Sequence, residues 1–310
     1  MEICNVLSFQ HKYLRERTSL NNERIIPSSD LILNEDGSVF HLHLLPCDLR
    51  DNIILVGDPS RVKMIASLLD SITRQGSNRE FVWASGVYGG KEITVISTGI
   101  GADNIDIVMN ELDALVSIDF ETRRVKQSFR KLNIVRIGTC GVVQSDIKTG
   151  EVIVSESTIG TDPVPNYYQR GGAVFNDDLS EKFVQHTSWS KKLSVPYAVD
   201  ASSRMLDLFG KLGRCAITVS APGFYAPQGR HVRIAPACEN FIPMIQSFRY
   251  NERRILNLEM ESAPIAAMAR IMGHDAITLC VAIVQRAGQK SDLDYNTIMK
   301  KLAKSVLDHI

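Results

Sequence analysis

Ile134-Val135-Arg136-Ile137-Gly138-Thr139-Cys140-Gly141 is a short apolar run that carries one arginine and breaks straight into a glycine turn. Ile134 to Ile137 reads as a strand covered on both faces, the texture of a central sheet and not of a half-exposed one. An arginine inside such a strand must be paired, ligand-bound or aimed into a cavity, because an unpaired buried charge is very costly. A buried carboxylate would satisfy Arg136. So would an anion such as phosphate, whose oxygens match the planar fork of a guanidinium.

The same texture recurs on either side. Ile53-Ile54-Leu55-Val56, Ile93-Thr94-Val95-Ile96, Val152-Ile153-Val154, Ala216-Ile217-Thr218-Val219 and the run from Ala276 to Val284 read as further strands. Between them lie segments with helical periodicity. Arg61 to Leu69 places Val62, Ile65, Ala66 and Leu69 on one stripe, Asp106 to Leu115 repeats the pattern, and Ile298 to Leu307 is amphipathic. Ala263 to Met272 is small and apolar almost all round, so it belongs against the sheet. Strands alternating with helices place the chain in the α/β class: a single-domain, three-layer α/β/α arrangement with a central mixed sheet. That domain is expected over residues 31–310, with no repeat or linker to divide it. Residues 1–30 are polar, end in Pro27-Ser28-Ser29-Asp30, and read as an N-terminal extension without an assigned role.

Composition narrows the function. The chain has 310 residues, 44% of them apolar and 23% charged, which is ordinary for a globular protein. Lysine plus arginine equals aspartate plus glutamate, at 35 each, so there is no bulk field to draw nucleic acid or an anionic membrane. An anion must then be held by a few placed cations. The six cysteines are scattered without a C-x-x-C pair and read as reduced, buried thiols of a cytoplasmic protein. No apolar stretch approaches the roughly twenty residues of a membrane span, and Met1 to Asp30 does not read as a secretory signal.

Three glycine turns follow strands directly: Gly57-Asp58-Pro59-Ser60-Arg61, Thr98-Gly99-Ile100-Gly101-Ala102 and Gly138-Thr139-Cys140-Gly141. Ligands of α/β sheets bind outside the carboxyl ends of the strands, where these turns fall. Any one of them could be only a turn; none is a dinucleotide fingerprint, and there is no Walker A sequence. Arg61 adds its charge at the positive end of the helix it opens. Asn257-Leu258-Glu259-Met260-Glu261-Ser262 sets two carboxylates between a strand and the apolar helix. They could bind the paired hydroxyls of a sugar, or they could complement the helix dipole. Phe224-Tyr225-Ala226-Pro227-Gln228-Gly229-Arg230 offers aromatic faces for a planar base, with an amide and a cation for its edge; alone it could be a solvated loop.

Together these segments resemble the family I nucleoside phosphorylases of hexameric type, and within them the uridine phosphorylases. The resemblance runs from about Ser38 to the C-terminus through Val39-Phe40-His41-Leu42, Val56-Gly57-Asp58-Pro59-Ser60-Arg61, Asn78-Arg79-Glu80-Phe81, Ser97-Thr98-Gly99-Ile100-Gly101, Arg136-Ile137-Gly138-Thr139, Gln228-Gly229-Arg230 and Glu259-Met260-Glu261-Ser262. It implies phosphate bound by Gly57, Arg61, Arg136 and Thr139, with Arg79 reaching in from a neighbouring subunit. It implies ribose held by Met260 and Glu261, with His41 of the neighbour at the 5′-hydroxyl. Phe224, Gln228 and Arg230 would recognise uracil over an apolar wall of Ile283 and Val284, with Arg286 on a lid region. Shared sites imply a homo-oligomer, a dimer at least and a homohexamer by resemblance. Glu80 and Ile100 match the ligands of a monovalent cation in some members, but Asn104 stands where a serine would be, which argues against potassium. No cofactor is expected; inorganic phosphate is a co-substrate.

The reaction so implied is phosphorolysis of uridine, and of deoxyuridine, to uracil and the sugar 1-phosphate in pyrimidine salvage. No motif supplies a covalent nucleophile, so Arg136, Glu261 and Arg230 would act by positioning and charge placement. A purine nucleoside phosphorylase should carry an aspartate near the end of the late strand, where Ile283-Val284-Gln285-Arg286 has none. A nucleosidase would not need Arg61, Arg79 and Arg136. A non-catalytic nucleoside-binding protein is the alternative of another class.

Overall fold

A computed structural model describes residues 24–169, 174–286 and 294–310. Along the chain its strands are β1 (Asn52–Val56), β2 (Ser71–Asn78), β3 (Phe81–Tyr88), β4 (Lys91–Ser97), the short pair β5 (Ile118–Asp119) and β6 (Arg124–Val125), β7 (Asn133–Val142), β8 (Val152–Gly160), β9 (Tyr197–Asp200), β10 (Arg214–Ser220), β11 (Arg249–Tyr250), β12 (Arg253–Glu259) and β13 (Asp275–Gln285). The helices are α1 (Pro59–Ala66), α2 (Ala102–Ser117), α3 (Asp177–Thr187), α4 (Ser203–Phe209), α5 (Phe241–Ser247), α6 (Ser262–Met272) and α7 (Tyr295–His309).

The main sheet runs β11-β12-β10-β8-β13-β7-β1-β4-β3-β2, with β9 beside β8. It is mixed: β1, β4, β7 and β13 are parallel, while β2, β3 and the β8–β13 pair are antiparallel. β12 also pairs with β7 through Asn257–Val142 and Leu258–Gly141. Five strands therefore close on one another, and the sheet curls at its middle.

Strand periodicity sorts the core into two layers. From β1, Ile54 and Val56 face a cluster completed by α1, α4 and α7, including Ile65, Phe209, Leu302 and Val306. Ile53 and Leu55 face the opposite cluster, built with Ile105, Val108 and Leu112 of α2 and Ile265 and Met268 of α6. Helices thus cover both faces of a mixed sheet, as the sequence pattern predicts.

Several boundaries differ from expectation. The first helix ends at Ala66 and not Leu69, because Asp70 and Ser71 already lead into the extended β2. Leu68 and Leu69 still pack on the core from a turn. β2 itself, Ser-Ile-Thr-Arg-Gln-Gly-Ser-Asn, is an edge strand that is largely exposed and has no apolar run to announce it. Of the described cysteines none is in a disulfide, but only Cys140 and Cys280 are buried; Cys47, Cys215 and Cys238 are exposed. Most of the expected N-terminal extension lies outside the described residues. Its last part is tied down: Ile26 N–H donates to the Arg123 carbonyl at 2.8 Å, and Arg123 Nε donates back to the Ile26 carbonyl at 2.7 Å.

Candidate active site

The carboxyl ends of β1, β4, β7 and β13 meet the end of β12 around a cleft of about 700 Å³. Its walls contain Gly57 and Arg61 after β1, Arg136 and Thr139 on β7, and Met260 and Glu261 after β12. The walls also contain Phe224, Gln228 and Arg230 after β10, with Ile283 and Val284 of β13. A bulge brings the last two into place. The β13–β7 register passes from Ala282–Cys140 to Val284–Gly141, leaving Ile283 outside the ladder and bending the strand there.

Arg136 is buried and folds back over its own strand. A Cβ on Gly138 would come within 2.4 Å of Arg136 Nη1, so the residue two places on must be glycine for the guanidinium to lie there. Nη1 sits 3.0 Å from Glu259 Oε2 and donates to Cys280 Sγ at 3.3 Å, while Nη2 pairs with Glu261 Oε2. Burial disfavours the cation, yet the two carboxylates outweigh it and hold Arg136 charged well above the ordinary guanidinium range. One cation for two buried anions leaves an excess of negative charge. Burial, opposed by Arg136 and reinforced by Glu259, accordingly pushes the Glu261 carboxyl above the usual carboxylate range.

The two glutamates do different work. Glu259 accepts from Glu261 N–H at 2.9 Å, from Ser262 N–H at 3.0 Å, and from the hydroxyls of Ser262 and Ser220. It therefore seals the N-terminus of α6 and anchors Arg136, which is the dipole-complementing alternative that the sequence allows. Glu261 accepts from Arg136 and from Gly101 N–H at 2.9 Å, the latter offered by a glycine turn in which Gly99 and Gly101 have φ of 69° and 99°. Glu261 lines the cleft and could take the hydroxyls of a sugar. The motif Glu259-Met260-Glu261 does not by itself separate these roles, which depend on the serines at 220 and 262 that the fold brings to Glu259.

After β10, Arg230 Nη1 donates to Gln228 Oε1 at 2.7 Å, and its Cζ lies 3.7 Å from the centre of the Phe224 ring. The arginine thus orients the amide and stacks on the aromatic. Burial and the nearby Arg286 charge lower the Arg230 guanidinium to about 10. Arg286 packs its side chain against Gly141, and its buried Nη1 has no hydrogen-bond partner among the described residues. Of the lid region expected at Arg286, residues 287–293 lie outside the described residues.

His41 and Arg79 are not among the residues lining this cleft. They lie together elsewhere: Asn78 Nδ2 donates to the His41 carbonyl at 2.8 Å, and Arg79 Cζ is 5.9 Å from the centre of the Phe40 ring. Arg79 occupies the two-residue turn between β2 and β3 with φ of 53°, a conformation that a long side chain rarely adopts. Glu80, next to it, does line the cleft, and its Oε1 accepts from Asn104 Nδ2 at 3.2 Å. An amide donor therefore stands against this carboxylate, at the position where the resemblance sets a serine. Ile100 beside it is 70% exposed.

A curled mixed sheet with an arginine-bearing cleft at its strand ends defines the nucleoside phosphorylase-like fold class. The chain belongs to the phosphorylase superfamily, whose family model matches residues 51–308. The uridine phosphorylase of Thermococcus kodakarensis is 28% identical over 258 residues, covering 81% of this chain and 79% of that protein. A DeoD-type purine nucleoside phosphorylase of Bacillus thuringiensis is 34% identical over 116 residues, 37% of this chain and 44% of its own. Among solved structures, a Trypanosoma brucei nucleoside phosphorylase described as showing uridine phosphorylase activity superposes with a TM-score of 0.82 at 27% identity. That match covers 90% of this chain and 99% of the other. A Phytophthora capsici uridine phosphorylase, with a TM-score of 0.65 at 20% identity, covers 92% and 97% and shares the fold. Among the described residues no helix is long and apolar enough to cross a membrane.

Proposed function

We propose that this enzyme cleaves uridine, and deoxyuridine, with inorganic phosphate. The observation that carries the reading is the set of groups that one cleft brings together. Its lining combines Arg61 and Arg136, suited to phosphate, Glu261, suited to ribose, and Gln228 held by Arg230, with Ile283 and Val284, suited to the base. A phosphate oxygen forms a bond to the anomeric carbon as the bond from that carbon to N1 of uracil breaks. The bonding pair leaves with the base, and the proton of hydrogen phosphate ends on uracil. Positive charge developing on the ribose is met by phosphate and Glu261. Negative charge on uracil is met by Arg230 and Gln228.

The remaining assignments belong to the same reading. Arg79 and His41 would complete the cleft of a neighbouring copy, so a homodimer is the smallest active unit and a homohexamer the assembly proposed. The reaction would serve pyrimidine salvage in the cytoplasm without a cofactor. Release of free base from a nucleoside panel, with and without phosphate, tests the activity. Phosphate-independent release would make the protein a nucleosidase, and preference for inosine over uridine would overturn the pyrimidine assignment. Light scattering that finds an active monomer would overturn the shared site.

A further inference from the structure

We infer that Glu111 is a positioning residue that fixes the tautomer and the direction of the His41 ring for the 5′-hydroxyl of a nucleoside bound to the neighbouring copy. The inference rests on the proposed role of His41 and concerns a residue to which that reading gives no part.

Glu111 lies on the buried face of α2, next to Val108 and Leu112. A carboxylate among such neighbours is costly unless its oxygens are hydrogen-bonded. All its partners come from one turn of chain. Oε1 accepts from His41 N–H at 2.9 Å, Oε2 from Leu42 N–H at 2.8 Å, and Oε1 also meets His41 Nδ1 at 2.6 Å. An ionised carboxylate only accepts, so in the neutral imidazole Nδ1 carries the ring hydrogen and Nε2 is left as a bare acceptor. The imidazole side chain is 28% exposed, so part of the ring reaches the surface. Its direction is held from three sides. Phe40 packs edge-on with ring centres 4.9 Å apart, Asn78 holds the His41 carbonyl, and Glu111 holds Nδ1.

A primary hydroxyl donates well to an imidazole nitrogen, and the carboxylate behind the ring fixes which way that nitrogen points. The same patch carries Arg79 one residue beyond Asn78. Glu111 therefore stands to His41 as a supporting group stands to a ligand-binding one. It also explains why a charge is kept in the middle of an apolar helix face.

The test is the ratio of kcat/KM for uridine to that for 5′-deoxyuridine, which lacks the hydroxyl. The wild-type ratio is expected to be about tenfold or more, the size of one hydrogen bond to a well-placed group. Glu111→Gln preserves shape and backbone acceptance but offers Nδ1 a donor, and should lower the ratio at least fivefold. In a His41→Ala background it should change nothing further. A merely structural Glu111 would depress both substrates equally and leave the ratio intact, which overturns the inference while His41→Ala still lowers it. A wild-type ratio near one overturns both the His41 reading and this one. Should Glu111→Gln not fold, ¹⁵N spectra of the wild-type histidines decide: hydrogen on Nδ1 of His41 upholds the inference, and hydrogen on Nε2 overturns it.

Discussion

Arg136 Nη1 lies 3.0 Å from Glu259 Oε2 while Nη2 of the same guanidinium pairs with Glu261. Both carboxylates line the cleft, and the arginine joins one already spent on the α6 terminus and two serines to one with fewer protein partners. The buried strand charge of the sequence is thus at once an ion pair and a cleft residue. Arg136→Ala leaves two buried carboxylates without their cation, and removing one partner of a buried pair costs about 3–5 kcal/mol. It should also lower phosphorolysis by some orders of magnitude. Arg136→Lys separates the effects: it keeps the charge and much of the stability but loses the two-pronged geometry. Urea denaturation beside kcat/KM for phosphate measures both, and near-wild-type phosphorolysis in the alanine variant would sink the assignment.

Glu259 and Glu261 should respond differently to the same chemical change. Glu259→Gln weakens the α6 terminus and the seat of Arg136, so its main effect should be on stability, about 1–3 kcal/mol for a buried hydrogen-bonded acceptor. Glu261→Gln should fold well and lose turnover. It should also reduce the difference between uridine and deoxyuridine. Thermal midpoints and steady-state kinetics on both variants check this; equal losses of both kinds would refute the division.

Gly138→Ala is a steric probe of the guanidinium. Gly138 is not in the left-handed region, so alanine suits its backbone, but the new Cβ meets Arg136 Nη1 at 2.4 Å. Because two carboxylates pin the arginine, it cannot step aside freely. The KM for phosphate should rise about tenfold or more, with unfolding changed much less. An unchanged phosphate KM would show that Arg136 does not need this seat.

Turnover should be the same in potassium and in sodium buffers, because Asn104 already donates to Glu80. A several-fold loss on removing potassium would mean that the amide turns its oxygen inward and joins the coordination.

Asp146 provides a pH test away from the cleft. Hydrogen bonds from Arg254 and Arg214 hold its carboxyl at about 2, below the ordinary 3.8. A lowered folded value stabilises above the unfolded one and is lost as pH falls toward the folded one. Asp146→Asn should therefore reduce the thermal midpoint at neutral pH. The gap to wild type should shrink as pH falls from about 4 toward 2. The group is exposed, so the effect should stay under about 1 kcal/mol and fade with salt.

Elements with a strong period were readable in the sequence. Ile53 to Val56 and Ile134 to Ile137 declare buried strands, and the glycine turns after them fall at the cleft. What escaped has physical reasons. β2 faces solvent, so no apolar alternation marks it. The closure of β12 on β7 is a long-range pairing that no local pattern encodes. Position in the chain cannot reveal that Glu259 is consumed by α6 and two serines while Glu261, equally buried, is held only by Arg136 and Gly101. Nor could Glu111 be found by motif, since a glutamate within Asn110-Glu111-Leu112 looks like any helix residue until the turn at His41 is laid against it.

The turn between β2 and β3 carries a last consequence. Arg79 has φ of 53°, where glycine or asparagine would sit more comfortably. A library screened for heat resistance alone should thus enrich replacements at this position, each removing the cation and unburdening the hairpin. Selection for catalysis and selection for durability pull against each other at one residue. Under the shared-site reading the loss would fall on the neighbouring copy, so mixing such a variant with wild type would leave intact chains in the same assembly impaired.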